Sequence, residues 1–208
     1  MEKKHPLYHA LIFKRRGWVG IFLLVPAVIL FSLSSPAVKE GSAVDLAMDA
    51  LGWLMFVFYV TFRLWATLYI SGRKDKELQT QGPYSITRNP LYLGSFCLAL
   101  SITLFFKSMS LFMATFLGWI IYSYGVVQKE ETYLETQFGE DFRAYCRRTP
   151  RFFPRFSLHR SGEVIGVELK SLKFEAGRLW AAALIPPSVA ILMHFRMASW
   201  WPHWFTLP

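Results

Sequence analysis

Cysteine is scarce, with two in 208 residues. Cys97 lies in an apolar run and Cys146 in a basic segment, so neither a disulfide framework nor a pairing of the two is expected. No His/Cys/acid cluster has metal-ligand spacing. His5, His9, His159, His194 and His203 are scattered, mostly near expected element boundaries. A Gly-x-Gly-x-x-Gly turn after a strand is missing, which leaves a Rossmann cofactor domain unsupported. There is no internal repeat and no low-complexity tract. Charge is also missing over long distances. Ser108–Gln128 has no charged residue, and Val44–Ile70 has only Asp45, Asp49 and Arg63. A helix needs about 20 mostly apolar residues to cross the hydrocarbon core. These runs predict a multi-pass membrane protein rather than a soluble domain.

The charge that is present is basic, +9 net, and its placement argues against nucleic acid as the partner. Lys3, Lys4, Lys14, Arg15 and Arg16 precede the first apolar run. Arg73, Lys74, Lys76 and Arg88 follow the second, and ten more Lys/Arg lie between Gln128 and Arg178. The intervening turns hold only Lys39 and Lys107. This alternation fits the positive-inside rule with a cytoplasmic N-terminus. The first apolar run lacks a convincing cleavage site and is expected to stay as a first helix.

The expected architecture is all-α: a polytopic bundle of about five transmembrane helices forming one membrane domain over 1–208. Span one is roughly Trp18–Leu33, span two Val44–Ile70, span three Leu91–Phe106 and span four Met109–Val127. Lys129–Cys146 reads as an amphipathic helix, with Leu134, Phe138, Phe142 and Tyr145 at helical spacing and Glu130 on the same face. Ser157–Leu172 is a polar excursion. Leu179–Met193, interrupted by Pro186 and Pro187, is expected as a fifth span or a re-entrant helix, followed by an interfacial aromatic belt.

Three places carry chemistry beyond what spans need. Arg63 is a charge inside span two, so it either faces the bundle interior or reaches toward the nearby membrane surface. In "GPYSITRNPLY", Gly82–Pro83 predicts a turn and Pro90 the first position of span three. Arg88, Asn89 and Tyr92 then sit at a helix mouth, where free N–H groups and the dipole suit a carboxylate-bearing ligand. Glu130 and Glu131 follow the uncharged span four. An inward acid needs a partner, which a cationic ligand group, Arg63 or Arg88 can supply. The basic-aromatic stretch that follows also reads as a surface anchor for anionic lipid.

"ELQTQGPYSITRNPLYLG" followed by "EETYLETQFGEDFRAYCRRTPRFFP" resembles the isoprenylcysteine carboxyl methyltransferase and phospholipid N-methyltransferase superfamily. The resemblance covers about 62–156, which it marks as a methyltransferase core, with 157–208 as a C-terminal extension. It implies an all-helical membrane enzyme that uses S-adenosyl-L-methionine in a cytoplasmic cofactor pocket, with membrane lipid around it and a lipid or lipid-like methyl acceptor. In a prokaryote the location would be the inner membrane. It also implies that Lys76, Glu77, Leu78, Gln79, Tyr84, Asn89, Pro90, Leu91, Tyr92, Glu130 and Glu131 surround the methyl donor, with Arg88 and Glu130 in the catalytic role. Asn89 stands where the family usually has histidine. It can hydrogen-bond but cannot carry a proton near neutral pH. Val126 stands where prenylcysteine enzymes carry a substrate-contacting arginine, which argues against that acceptor. Sterol reductases, which use NADPH, have a distantly similar helix-mouth motif. The Glu-Glu and Pro-Arg-Phe-x-Pro parts favour the methyl donor.

Overall fold

The computed structural model describes residues 25–35, 38–73, 76–162 and 165–206. The first part of the expected first span, 18–24, lies outside them; the rest, α1, is helical over 25–33. Helix α2, Ala43–Ile70, begins at Ser42, whose side chain accepts from Asp45 N. Its 28 residues make a rod of roughly 42 Å at 1.5 Å per residue, longer than the hydrocarbon core. A single turn, α3 (Pro83–Ile86), precedes α4, Pro90–Phe106.

Helices α2 and α4 form the central pair. Ser101 Oγ donates to Gly52 O at 2.8 Å, so the backbones touch near one end. Near the other, Gly94 is buried against Arg63, and a Cβ there would meet Arg63 Cγ at 3.1 Å. A small residue at that point permits the close approach that holds helices together in lipid.

Lys107 turns the chain into α5, Met109–Tyr122, through a left-handed conformation at φ 51°. Its ammonium donates to Asp45 and Asp49 on the first turns of α2, so the hairpin is pinned to α2. Helix α5 then widens into a π turn, Ser123–Val127, and continues as α6, Gln128–Arg148. Within α6, Gly139 has φ 55° and kinks the rod where the sequence pattern alone predicted one uninterrupted helix.

After α6 the chain crosses the end of the bundle and enters α7, Leu169–Ala183, and α8, Ile185–Arg196. Pro186 and Pro187 lack the N–H groups a continuing helix would use, which explains the break at Leu184. The run expected as a fifth span or re-entrant helix, Leu179–Met193, lies within a helical stretch that begins ten residues earlier, at Leu169. Phe56, Tyr59, Cys97 and Ala182 form a buried cluster joining α2, α4 and α7.

At the far end, buried Arg196 donates to Ser34 O at 2.6 Å and Ser34 Oγ at 2.9 Å. Trp201 Nε1 donates to Ser32 O, and residues Ser34–Ser35 pair in parallel with Phe205–Thr206. The expected aromatic belt thus includes a tryptophan that knots the C-terminal segment to the end of α1.

Among the described residues, three helical stretches are long and apolar enough to cross a membrane: Ala43–Ile70, Met109–Arg148 and Leu169–Arg196. Pro90–Phe106 is a shorter apolar helix. This is a mostly helical membrane protein.

Candidate functional site

The site begins with backbone geometry. Gly82 has φ 59° and ψ −129°, and any Cβ there would overlap the Tyr69 ring. Only glycine suits both demands. Pro83 at the first helical position then starts α3. Tyr84 is buried against Ala66 and Tyr69 of α2, and Tyr145 Oη donates to its carbonyl at 2.7 Å.

Helix α4 starts at Asn89 without a side-chain cap. Pro90 has no N–H, so the orphan donors of the first turn belong to the residues after it. The Asn89 amide is turned toward neighbouring segments instead: Nδ2 donates to Glu131 Oε1 and to Arg151 O, each at 3.1 Å.

One turn along, Tyr92 Oη donates to Glu130 Oε2. The Tyr92 ring meets Tyr122 edge-on, with centroids 5.4 Å apart. Tyr122 is the last residue before the π turn. A π turn inserts one residue and shifts the helical register by roughly 100°. Below it, Glu130 and Glu131 both address the α4 mouth, but with different partners. Glu130 meets Tyr92. Glu131 receives Asn89, the Arg151 guanidinium at 3.0 Å and, more loosely, Arg88 Nε at 3.6 Å.

Two buried hydroxyls in this region, Tyr84 Oη and Ser123 Oγ, have no hydrogen-bond partner among the described residues. An unmet buried hydroxyl costs about 1–3 kcal/mol unless a ligand or water reaches it. Burial, with Tyr145 and Glu130 adding, pushes the Tyr84 phenol well above its ordinary pKa, so it is a neutral donor and acceptor.

The remaining expected residues make the following contacts. Arg63 does not partner Glu130. It faces the interior, and its Nε and Nη2 grip the Glu175 carboxylate of α7 at 2.6 and 2.7 Å. Arg88 approaches Glu131 rather than Glu130. Lys76 and Glu77 are exposed and make local contacts, with Gly72 O at 3.3 Å and Arg73 at 4.0 Å. Gln79 acts as a staple: its amide donates to Tyr69 O at 2.6 Å and its oxygen accepts from Thr80 N and Gln81 N. Leu78 is partly buried beside it. Among the described hydrogen bonds and ion pairs, none ties 76–79 to the Tyr92–Glu130 pair.

Sequence reasoning missed Arg151, Ser123, Tyr145 and Glu175. Arg151 lies in "PRFFP", where alternating basic and aromatic letters also read as a surface anchor. Nothing in the local pattern distinguished Glu175 from other charges in a polar stretch.

A helical membrane bundle with a Gly-Pro-Tyr turn, an Arg-Asn-Pro-x-Tyr helix mouth and a Glu-Glu pair gathered at one end belongs to a class of membrane methyltransferases. The family model for phospholipid methyltransferase matches residues 46–141. The chain belongs to this family, within the superfamily that also holds the isoprenylcysteine carboxyl methyltransferases. It is 33% identical over 200 residues to the nickel-cobalt-cadmium resistance protein NccN of Alcaligenes xylosoxydans xylosoxydans, covering 94% of this chain and 92% of that protein. It is 34% identical over 162 residues to the cobalt-zinc-cadmium resistance protein CzcN of Cupriavidus metallidurans, covering 77% of this chain and 74% of that one. No solved structure gives a significant match.

Proposed function

We propose that this chain is an integral membrane methyltransferase that takes its methyl group from S-adenosylmethionine and passes it to a lipid or lipid-like acceptor. The observation that carries this reading is the Tyr92–Glu130 hydrogen bond beside the uncapped mouth of α4. The residues present suit the donor's chemistry. Glu130 offers a carboxylate for an ammonium or a pair of ribose hydroxyls. The Tyr84 and Ser123 hydroxyls are buried and lack partners.

When bound, the donor supplies an electrophilic methyl group on a sulfonium, together with its leaving group. The protein's task is then to position and desolvate the reactants. Tyr92 holds the Glu130 carboxylate in one orientation. Asn89 is a brace, since Nδ2 is committed to Glu131 and Arg151 O. Neither Asn89 nor neutral Tyr84 acts as a base. This arrangement suits an acceptor that needs no strong base, such as a carboxylate or an amine already neutral at the membrane surface.

An apolar acceptor would approach along the aromatic wall beside the mouth. Phe96 stacks on Trp119 with centroids 4.4 Å apart, and Trp119 meets Phe152 at 5.1 Å. The relatives' names suggest resistance to nickel, cobalt, zinc and cadmium as the setting. Growth of a deletion strain on those metals tests that setting separately from the chemistry.

The direct test is titration of the purified protein in lipid nanodiscs with S-adenosylmethionine and with NADPH, followed by incubation of lipid extracts with labelled donor. Donor binding and a labelled lipid product are expected. Folded protein that binds no methyl donor would refute the reading, and binding of NADPH instead would favour a reductase.

A further inference from the structure

We infer that Arg88 and Arg151 form a receptor for one anionic oxygen group, a carboxylate or a phosphate, at the mouth of α4. Both guanidiniums converge on the same carboxylate. Arg151 Nη2 lies 3.0 Å from Glu131 Oε2, and Arg88 Nε lies 3.6 Å from Glu131 Oε1. Both side chains are largely buried, at 17% and 28% exposure for Arg88 and Arg151. Two positive charges therefore share one negative charge, which is already hydrogen-bonded to Asn89. A buried residual charge of this kind is costly unless a counter-charge meets it.

The donors to meet it are present. The Nε–H groups of Arg88 and Arg151 are both buried and both lack an acceptor among the described residues; a 3.6 Å separation is too long for a hydrogen bond. They lie beside a 17-residue helix whose N-terminus has no side-chain cap. Guanidinium donors with helix-end N–H groups bind planar or tetrahedral oxyanions well. The Glu130 side of the mouth is acidic and the Glu131 side is net basic, so the mouth is polarised. A cationic group belongs at the first and an anionic group at the second.

Two sources can supply that oxyanion. One is the carboxylate of the methyl donor, in which case the inference rests on the function proposed above. The other is the phosphate of a lipid headgroup, in which case it does not. The full-length protein in phosphatidylcholine nanodiscs separates them. S-adenosylmethionine and its decarboxylated analogue are titrated against wild type, Arg151→Gln, Arg88→Gln, Arg151→Lys and the control Lys170→Ala. Retention of phosphatidic acid by each protein is read by native mass spectrometry.

A donor carboxylate in the receptor makes the decarboxylated analogue about tenfold or more weaker on wild type, a gap that shrinks toward parity in both Gln variants. Arg151→Lys keeps the charge but loses the fork, so it falls between. A lipid phosphate there leaves both donors equal on every protein, while the Gln variants lose phosphatidic acid that wild type and Lys170→Ala retain. The inference is overturned if folded Gln variants match wild type in both measurements. Failure of wild type to bind any donor sinks the methyl-donor reading alone, and the lipid measurement then still decides whether the receptor exists.

Discussion

Glu175→Ala is expected to be among the most damaging single changes that leave the candidate site untouched. Glu175 is 4% exposed and receives two charge-assisted hydrogen bonds from Arg63, which is itself 12% exposed in its side chain. Bonds of this kind contribute about 1.5–3 kcal/mol each, so the pair of them holds about 3–6 kcal/mol. Removing one partner strands a guanidinium within an apolar helix, for which buried pairs give about 3–5 kcal/mol of destabilisation. Arg178, 3.9 Å from Glu175, cannot compensate, because it carries the same charge as the stranded Arg63. The two estimates agree at about 4 kcal/mol. Unfolding in mixed detergent micelles, followed by circular dichroism, measures it. Arg63→Met should cost less, since Glu175 keeps Arg178 nearby. The double variant Arg63→Met/Glu175→Leu should recover much of the loss, because nothing charged remains buried. Additive losses in that cycle, or a Glu175→Ala protein within about 1 kcal/mol of wild type, would refute the pair as the lock between α2 and α7.

Further outcomes follow from the same geometry. Glu130→Ala and Tyr92→Phe should weaken S-adenosylmethionine binding, each by roughly tenfold if the lost hydrogen bond is expressed in affinity, whereas Lys170→Ala should not; calorimetric titration of all three reads this, and equal affinities sink the site map. Gly82→Ala forces a Cβ into the Tyr69 ring at a positive φ, so a loss of at least about 1–3 kcal/mol is expected, and a melting temperature equal to wild type contradicts it. Lys107 titrates above its ordinary 10.5: burial pulls it down, but the hydrogen bonds to Asp45 and Asp49 outweigh burial. Its folded pKa is raised, so its stabilisation is complete below the ordinary 10.5 and is lost as pH rises through the folded value. Melting temperature should therefore fall on strong alkalinisation in wild type and fall less steeply in Lys107→Met; parallel curves would show that the pairing does not count.

Much of the bundle is legible because lipid imposes a simple rule on sequence: long uncharged runs become helices. Val44–Ile70 and Met109–Val127 fall almost where α2 and the α5–π segment lie. Boundaries set by proline are also readable, as Pro90 at the start of α4 shows. The partnerships are less so. Glu130 and Glu131 are neighbours with the same chemistry, and only a π turn decides which one meets Tyr92. No residue preference announces that extra residue in Ser123–Val127. Arg63 stands out as a charge inside span two, with the interior and the membrane surface both open to it, and its partner lies 112 residues away in a polar stretch. Long-range pairing of that kind depends on how α7 docks, which periodicity does not encode.

The placement of Arg151 changes what the segment after α6 is for. Residues 149–160 do more than return the chain to the next helix; they build the mouth of α4 from outside. Arg88 N donates to Pro150 O at 2.8 Å and Arg155 N donates to Ile86 O at 3.0 Å. Thr87 Oγ1 lies between Arg151 O and Phe152 O, Gly82 N donates to Arg160 O at 2.6 Å, and Arg160 N returns a bond to Ser85 Oγ. The run 82–89 is thus tied to this strap through the backbone at Gly82, Ile86 and Arg88, and Asn89 and Glu131 close the loop through Arg151. A helix mouth held on both sides can leave its own first-turn donors open, because its position does not depend on capping itself. The strap's role also explains why "TRNP" and "TPRFFP" occur together in one pattern although about sixty residues separate them: each supplies the hydrogen-bond partners the other lacks. Loss of the strap should therefore abolish the site while leaving the apolar spans helical, since their backbone bonds are internal.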